Sequence, residues 1–388
     1  MIPTILFWFS VGLIFHSYVL YPFIMNRLAK RKSSNYKMYT TDKEFPTVSI
    51  LLAVFNEEKV IRKKLKSLDQ LVYPKDRLEI LIRSDASTDK TDQLIRSVKT
   101  DLNIHFERTP TRLGKVKIIN LLSAIATGKI LVITDANVYH RPDSLSLLIR
   151  HFKNKEVGLV DSAMINPVLD KNGISLQESA YISREVRIKH AEGKLWGCMM
   201  GPSGGFYAVR KELFSPVPEN FLVDDFYINM KVLGQGKKAI NDLESKAFED
   251  VSSNLSEEFR RKVRISAGNF QNLSRFYKHS ICFFRPLGFV FLSHKVLRWA
   301  GPFFLLIAYF SNLFLLDKKF YFISFLLQSI FLFIPFIDLI LRKIKIHIVI
   351  LRFVTHFYNM NLAIFVGFLR FIKGIKSNVW EPTKRDQP

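Results

Sequence analysis

No charged side chain occurs in residues 1–26, and Ile, Leu, Phe and Val fill half of that stretch. At 1.5 Å per residue a bilayer crossing takes about 20 apolar residues, so the run is long enough to span. A secretory signal carries its positive charges before the apolar core and a small-residue cleavage site after it. Here Arg27, Lys30, Arg31 and Lys32 follow the run instead. That order predicts an uncleaved anchor over 1–26, with its C-terminal flank, and the domain behind it, in the cytoplasm.

Three more uncharged runs lie near the other end, at 299–316, 320–337 and 353–369. Asp317, Lys318 and Lys319 separate the first two, which predicts a helical hairpin. Before them, 283–298 mixes Phe and Leu with Arg285, His294, Lys295 and Arg298, the pattern of an amphipathic helix lying in the interface. The organisation expected is an anchor (1–26), a folded domain (45–275), an interfacial helix (276–298), a C-terminal transmembrane region of about three apolar segments (299–372) and a basic tail (373–388). Four crossings would carry that tail outside. Its Arg and Lys residues outnumber Glu381 and Asp386 and favour inside, so the expectation is that one run is re-entrant or interfacial. Composition fits a membrane-bound fold: 48% of residues are hydrophobic, which excludes a disordered chain. The formal net charge of +23 gathers partly at membrane flanks and accompanies no nucleic-acid motif, so a nucleic-acid partner is not expected. Two cysteines, Cys198 and Cys282, are too few for a disulfide framework.

From 45 to 250 short apolar runs alternate with polar helical stretches. The segment 48–54 has the β-branched composition of a buried strand, and 78–82 and 130–134 read the same way. Between the first two, Val60, Ile61, Leu65 and Leu68 recur at helical spacing within 57–71. A helix is expected over 91–98, capped by Ser87 or Asp89. Such alternation predicts an α/β fold with a mostly parallel sheet, and ligands then bind beyond the carboxyl ends of the strands. Asn56, Glu57, Asp85 and Asp135 stand at those ends. With Asp224 and Asp225 they make an acidic set that is tolerable where a cation or a proton donor occupies the space. Hard oxygen ligands point to Mg²⁺ or Mn²⁺, and Arg112, Lys115 and Lys117 around Gly114 suit phosphate charge.

The series 53–57 (Ala-Val-Phe-Asn-Glu), 84–89, Gly114-Lys115, 134–137, 204–210 and Asp224-Asp225 resembles, in order and spacing, the membrane-bound family 2 glycosyltransferases, which include hyaluronan, cellulose and poly-N-acetylglucosamine synthases. The likeness spans about 45–275 and the flanking helices. It implies a GT-A fold (Rossmann-like), a UDP-sugar donor, inversion at the anomeric carbon, and Mg²⁺ or Mn²⁺ as cofactor. Carried over residue by residue, it implies that Ala53 and Glu57 line the nucleoside pocket, that Asp85 accepts from the uracil N–H, and that Lys115 lies near the uracil or diphosphate. Asp135 would hold the metal, with Asn137 as a weaker second ligand where the family has Asp. Asp225 would be the general base, with Asp224 beside it. Gly204, Gly205 and Phe206 would floor the acceptor site, with Trp196 nearby.

The segment 261–265 aligns with the Gln-x-x-Arg-Trp motif of processive synthases, with Arg261 for Gln and Ile265 for Trp; Arg264 is kept and would grip the diphosphate. A Trp380-Glu381-Pro382-Thr383-Lys384-Arg385 tail is similar to one near the active site of some relatives. The resemblance implies transfer to a growing exported polysaccharide or glycan at the bilayer. The degraded Trp motif supports glycosylation of a lipid carrier or membrane lipid as the alternative. Asn137 and Ile265 together motivate a reading of another class, a nucleotide-sugar-binding pseudoenzyme or assembly subunit.

Overall fold

The computed structural model describes residues 1–32, 37–165, 175–249, 255–344, 346 and 348–375. The tail motif 380–385 lies outside the described residues. In chain order the helices are α1 (Ile2–Phe15), α2 (Tyr21–Arg31), α3 (Ile61–Asp69), α4 (Thr91–Arg96), α5 (Lys115–Ile125), α6 (Ser144–Ile149), α7 (Ser175–Trp196), α8 (Asp224–Gly234), α9 (Leu255–Ile281), α10 (Pro286–Val290), α11 (Leu297–Trp299), α12 (Gly301–Leu313), α13 (Lys319–Lys343) and α14 (Val349–Ile372). The strands are β1 (Val48–Val54), β2 (Leu78–Ser84), β3 (Asn103–Arg108), β4 (Ile130–Thr134), β5 (Val138–His140), β6 (Val157–Ile165), β7 (Phe206–Arg210) and β8 (Lys238–Glu249).

The strands form one sheet in the order β3-β2-β1-β4-β7-β6-β8-β5. Strands β3, β2, β1 and β4 run parallel, and so do β6 and β8, whereas β7 is antiparallel to both its neighbours and β5 to β8. The sheet is therefore mixed rather than mostly parallel. Its parallel half has the continuous apolar runs expected of strands covered on both faces: Ile50, Leu51 and Leu52 are fully buried, as are Leu131, Val132 and Ile133. Reversal of β7 has a direct effect on the site. Thr134 at the end of β4 pairs with Phe206 at the start of β7, so the loop before β7 arrives beside the turn after β4.

Helix α3 is shorter than its sequence pattern, because the Glu57 carbonyl accepts from the N–H groups of Val60 and Ile61 in a turn before the helix begins. At α4 the N-cap is Lys90, with no side-chain cap, rather than the expected Ser87 or Asp89; Asp89 Oδ1 instead accepts from the N–H of Thr91, the first helical residue, at 3.0 Å.

The chain packs as two units, one formed by 26–169 and 179–252 around the sheet, the other by 1–25 and 253–374. Among the described residues three helices are long and apolar enough to cross a membrane: Ile2–Arg31, Lys319–Lys343 and Val349–Ile372. The run at 299–316 is not a separate straight span. It yields α12, only 13 residues long, bent by 61° from Pro286–Trp299 at Ala300, with Pro302 in the first turn of α12. Within 283–298, Val290, Phe291, Ser293 and His294 are buried in the bundle. Helix α9 also belongs to this unit, so the division falls near 253 instead of 275. Its reason is the close approach of α14: a Cβ on Gly367 would sit 2.5 Å from Ser266 Cβ and 2.9 Å from the Ala267 nitrogen. Phe270 meets Phe368 edge-on at 5.0 Å.

Candidate active site

Two left-handed residues shape the carboxyl edge of β1 and β2. Asn56 (φ 52°) and Ala86 (φ 57°) turn the chain sharply after each strand. The Asn56 side chain locks the two turns together, its Oδ1 accepting from the Thr88 N–H at 2.8 Å. Glu57 is nearly buried and its N–H donates to Thr91 Oγ1 at 2.8 Å, while Ala53, half-buried, is the next-to-last residue of β1, opposite Arg83.

Asp85 is buried and receives three donors: the N–H of Leu113 at 2.6 Å, the N–H of Gly114 at 3.0 Å and Arg112 Nε at 3.1 Å. The Arg112 guanidinium lies 3.2 Å from the centroid of the Phe55 ring, a cation–π contact. These bonds fix the 112–114 loop, and Gly114, at φ +87°, turns it into α5. Lys115, the first residue of that helix, then reaches Asp135 with Nζ 2.7 Å from Oδ1. Although burial works against its charge, the carboxylates of Asp135, Asp224 and Asp225 hold Lys115 above the ordinary lysine value. One ammonium thus serves three acids.

Asp135 follows β4 and is partly exposed; its N–H donates to the Gly205 carbonyl at 3.2 Å. Asn137 is buried, and its amide donates to Glu249 Oε1 at 3.0 Å. Among the described residues no three His, Cys, Asp or Glu side chains form a metal cage. The donor set suits a hard cation that arrives with phosphate oxygens of its own, as Mg²⁺ commonly does on one or two carboxylates.

Asp224 and Asp225 open α8. Asp224 is buried and its Oδ2 has no hydrogen-bond partner among the described residues. Asp225 is partly exposed; Oδ1 accepts from the Phe226 N–H at 2.6 Å. Its Oδ2 faces Gly204 so closely that a Cβ there would be 2.6 Å away. Burial and the Asp224 charge push the Asp225 carboxyl up to about 7, against the pull of Lys115, the Phe226 N–H and Lys189. A group with that value gains and loses protons near neutral pH, as a general base must.

The other acceptor-side residues divide by exposure. Gly205 is packed, since a Cβ would meet Met164 Cε at 2.5 Å and Val138 Cγ2 at 2.7 Å. Phe206 is fully buried with its ring 4.2 Å from that of His140, so it supports the loop from below and touches nothing on the solvent side. Trp196 ends α7 and is half-buried. Arg261 and Arg264 lie on α9 in the other unit, where Arg261 pairs with Glu258 at 3.6 Å.

Two buried lysines were not anticipated. Lys64 is fully buried and donates to Thr134 Oγ1 and the Val138 carbonyl, each at 2.7 Å, with His140 Nε2 at 3.0 Å. Burial pulls its ammonium well below the ordinary value. Lys189 ion-pairs with Asp161 at 2.8 Å. A signal for Lys64 existed: it falls on the stripe of Ile61, Leu65 and Leu68 that faces the sheet.

Residues 49–215 match the family described as Glycosyl transferase family 2. The probable glycosyltransferase YdaM of Bacillus subtilis (strain 168) is 27% identical over 209 residues, 50% of this chain and 48% of that protein. The beta-monoglucosyldiacylglycerol synthase of Nostoc sp. (strain PCC 7120) is 33% identical over 118 residues, 30% of this chain and 25% of that one. The chain thus matches about half or less of the length of these relatives. A mannosyltransferase of Pyrobaculum calidifontis, solved with GDP-Man and Mn²⁺, superposes with a TM-score of 0.71 at 19% identity, covering 95% of this chain and 99% of that one. The shared architecture is the GT-A fold.

Proposed function

From the match of residues 49–215 to glycosyltransferase family 2, we propose that this chain moves a sugar from a UDP-sugar to an acceptor hydroxyl held at the membrane, with inversion at the anomeric carbon. The observation that carries the reading is the Asp225 carboxylate, raised to about 7 and set against a glycine that leaves its Oδ2 open. An oxygen of this kind takes the acceptor proton as the hydroxyl attacks. Asp135, with Asn137 behind it, would hold Mg²⁺ or Mn²⁺, and the metal would supply charge for the leaving diphosphate. Lys115 adds a fixed cation at the same place, and the 112–114 loop, tied down by Asp85, holds it ready before any substrate arrives. Ala53, Glu57 and Asp85 line the nucleoside side. The catalytic unit faces the cytoplasm, where UDP-sugars are made.

The acceptor is a growing exported glycan. Ile265 in place of the stacking Trp, together with 33% identity to a protein named a glycolipid synthase, favours a second reading in which the acceptor is a lipid. Purified protein in nanodiscs, supplied in turn with individual UDP-sugars, Mn²⁺ and extracted membrane lipids, tests both. A ladder of polymer supports the first reading and a single-sugar lipid the second. UDP release no faster than from the Asp225→Asn variant would remove the enzyme altogether.

A further inference from the structure

A lysine–aspartate pair lies behind the acceptor loop, apart from every residue assigned to donor, metal or proton transfer. Lys189 on α7 and Asp161 on β6 have side chains 3% and 0% exposed, with Nζ 2.8 Å from Oδ2. Removing two charges from water costs several kcal/mol per ion, and apolar side chains of similar volume often fill such a place at no loss of stability. Its other bonds show what the pair holds. Lys189 also donates to Ser203 Oγ at 2.8 Å, and both oxygens of Asp161 accept from the Ser203 N–H at 3.1 Å. Asn241 completes the set, its amide donating to Asp161 Oδ2 at 3.4 Å and to the Ser162 carbonyl at 3.0 Å. Ser203 is the residue before Gly204, which abuts Asp225 Oδ2.

We propose that Lys189 and Asp161 are positioning residues for the transfer step: together they clamp the Ser203–Gly204 backbone against the Asp225 carboxylate, with the ion-paired lysine behind it. The charged and titratable groups facing Asp225 are Asp224 beside it on α8, Lys115 from α5 with its partner Asp135, Lys189 from α7, and Tyr207 from β7. Lys115 is committed to Asp135 and, in the proposed reaction, to the diphosphate. Lys189 is sealed away from both, so its effect on Asp225 persists through the cycle.

The proposal rests on Asp225 acting as the base. Its test is the pH profile of kcat/KM for full-length protein in nanodiscs. Lys189→Met removes the cation, and the acid limb moves up by roughly half a pH unit to one unit, with the KM for the nucleotide sugar unchanged within about twofold. Asp161→Asn removes the anion that offsets Lys189, and the limb moves the opposite way. Lys189→Arg returns it to the wild-type position. Loss of packing alone cannot shift two neighbouring variants in opposite directions. If the single variants fail to fold, Lys189→Met with Asp161→Leu leaves an apolar pair of similar volume. In that protein the limb stays in place and kcat falls about tenfold, because the loop is no longer clamped. Unmoved or parallel limbs in the single variants, or full kcat in the double variant, overturn the proposal. An active Asp225→Asn sinks the base assignment itself; an inactive Asp225→Asn with unmoved limbs sinks only the clamp.

Discussion

Gly204 and Gly236 share a backbone conformation and differ in what lies in front of them, which makes a controlled experiment. Their φ angles are +84° and +75°. An alanine at either position is held in the left-handed region at a cost of about 1–2 kcal/mol. At Gly236 a Cβ meets nothing within 4 Å; at Gly204 it meets Asp225 Oδ2 at 2.6 Å. Ordinary van der Waals contact begins at 3.4 Å, so the carboxylate has to retreat by about 0.8 Å. It cannot do so freely, because Oδ1 is bonded to the Phe226 N–H at 2.6 Å. Displacement of a reacting group by about 1 Å costs on the order of a hundredfold in rate. Gly204→Ala and Gly236→Ala should therefore lose similar stability in a thermal unfolding scan. Only Gly204→Ala should lose turnover, by roughly ten- to a hundredfold in a UDP-release assay. Equal turnover in the two variants would refute the placement of Asp225 against Gly204 as the reacting geometry.

Asp225→Asn should leave donor binding near wild type in a titration with UDP and lower transfer by roughly 10² to 10⁴, while Asp224→Asn keeps more activity. Because the folded carboxyl sits at about 7, above its ordinary value, the folded state holds that proton more tightly than the unfolded chain does. Stability from this group is present below about pH 4 and lost as pH rises through 7, so Asp225→Asn should be the more stable protein at pH 8 and not at pH 4, as judged by unfolding midpoints. Asp135→Ala should abolish transfer at saturating Mn²⁺ with the protein still folded, and a folded, active variant would remove Asp135 as the metal ligand. In the helical unit, Gly367→Leu should part α14 from α9 and lower the melting temperature in detergent; an unchanged midpoint would contradict the close packing at Ser266 and Ala267.

Strands were legible where composition alone decides. The β-branched runs 48–54 and 130–134 became β1 and β4 with the same bounds, because a strand buried on both faces reads as a near-continuous apolar run. Direction was not legible: 206–210 reads as a strand either way, and only its pairing with β4 and β6 shows that it runs backwards. Motif order located Asp85, Lys115, Asp135 and Asp225 near one another, yet gave no hint that the three donors to Asp85 come from residues 112–114 of its own chain. Charge misled in the helices. Lys64 and Lys189 carry no mark of burial in the residue type, yet each is buried among acceptors drawn from distant segments. The bend at Ala300 escaped a count of apolar residues, because hydropathy is blind to where a helix breaks.

The attachment of α9 to α14 bears on how this protein can be taken apart. A fragment cut at 275, where the motifs run out, would carry most of α9 without the helix that covers it. Ala267 and Phe270, buried in the whole chain, would then face water along a helix torn from its seam. Such a piece should cling to detergent or aggregate. A cut near 249 leaves the sheet with all eight strands and no such wound.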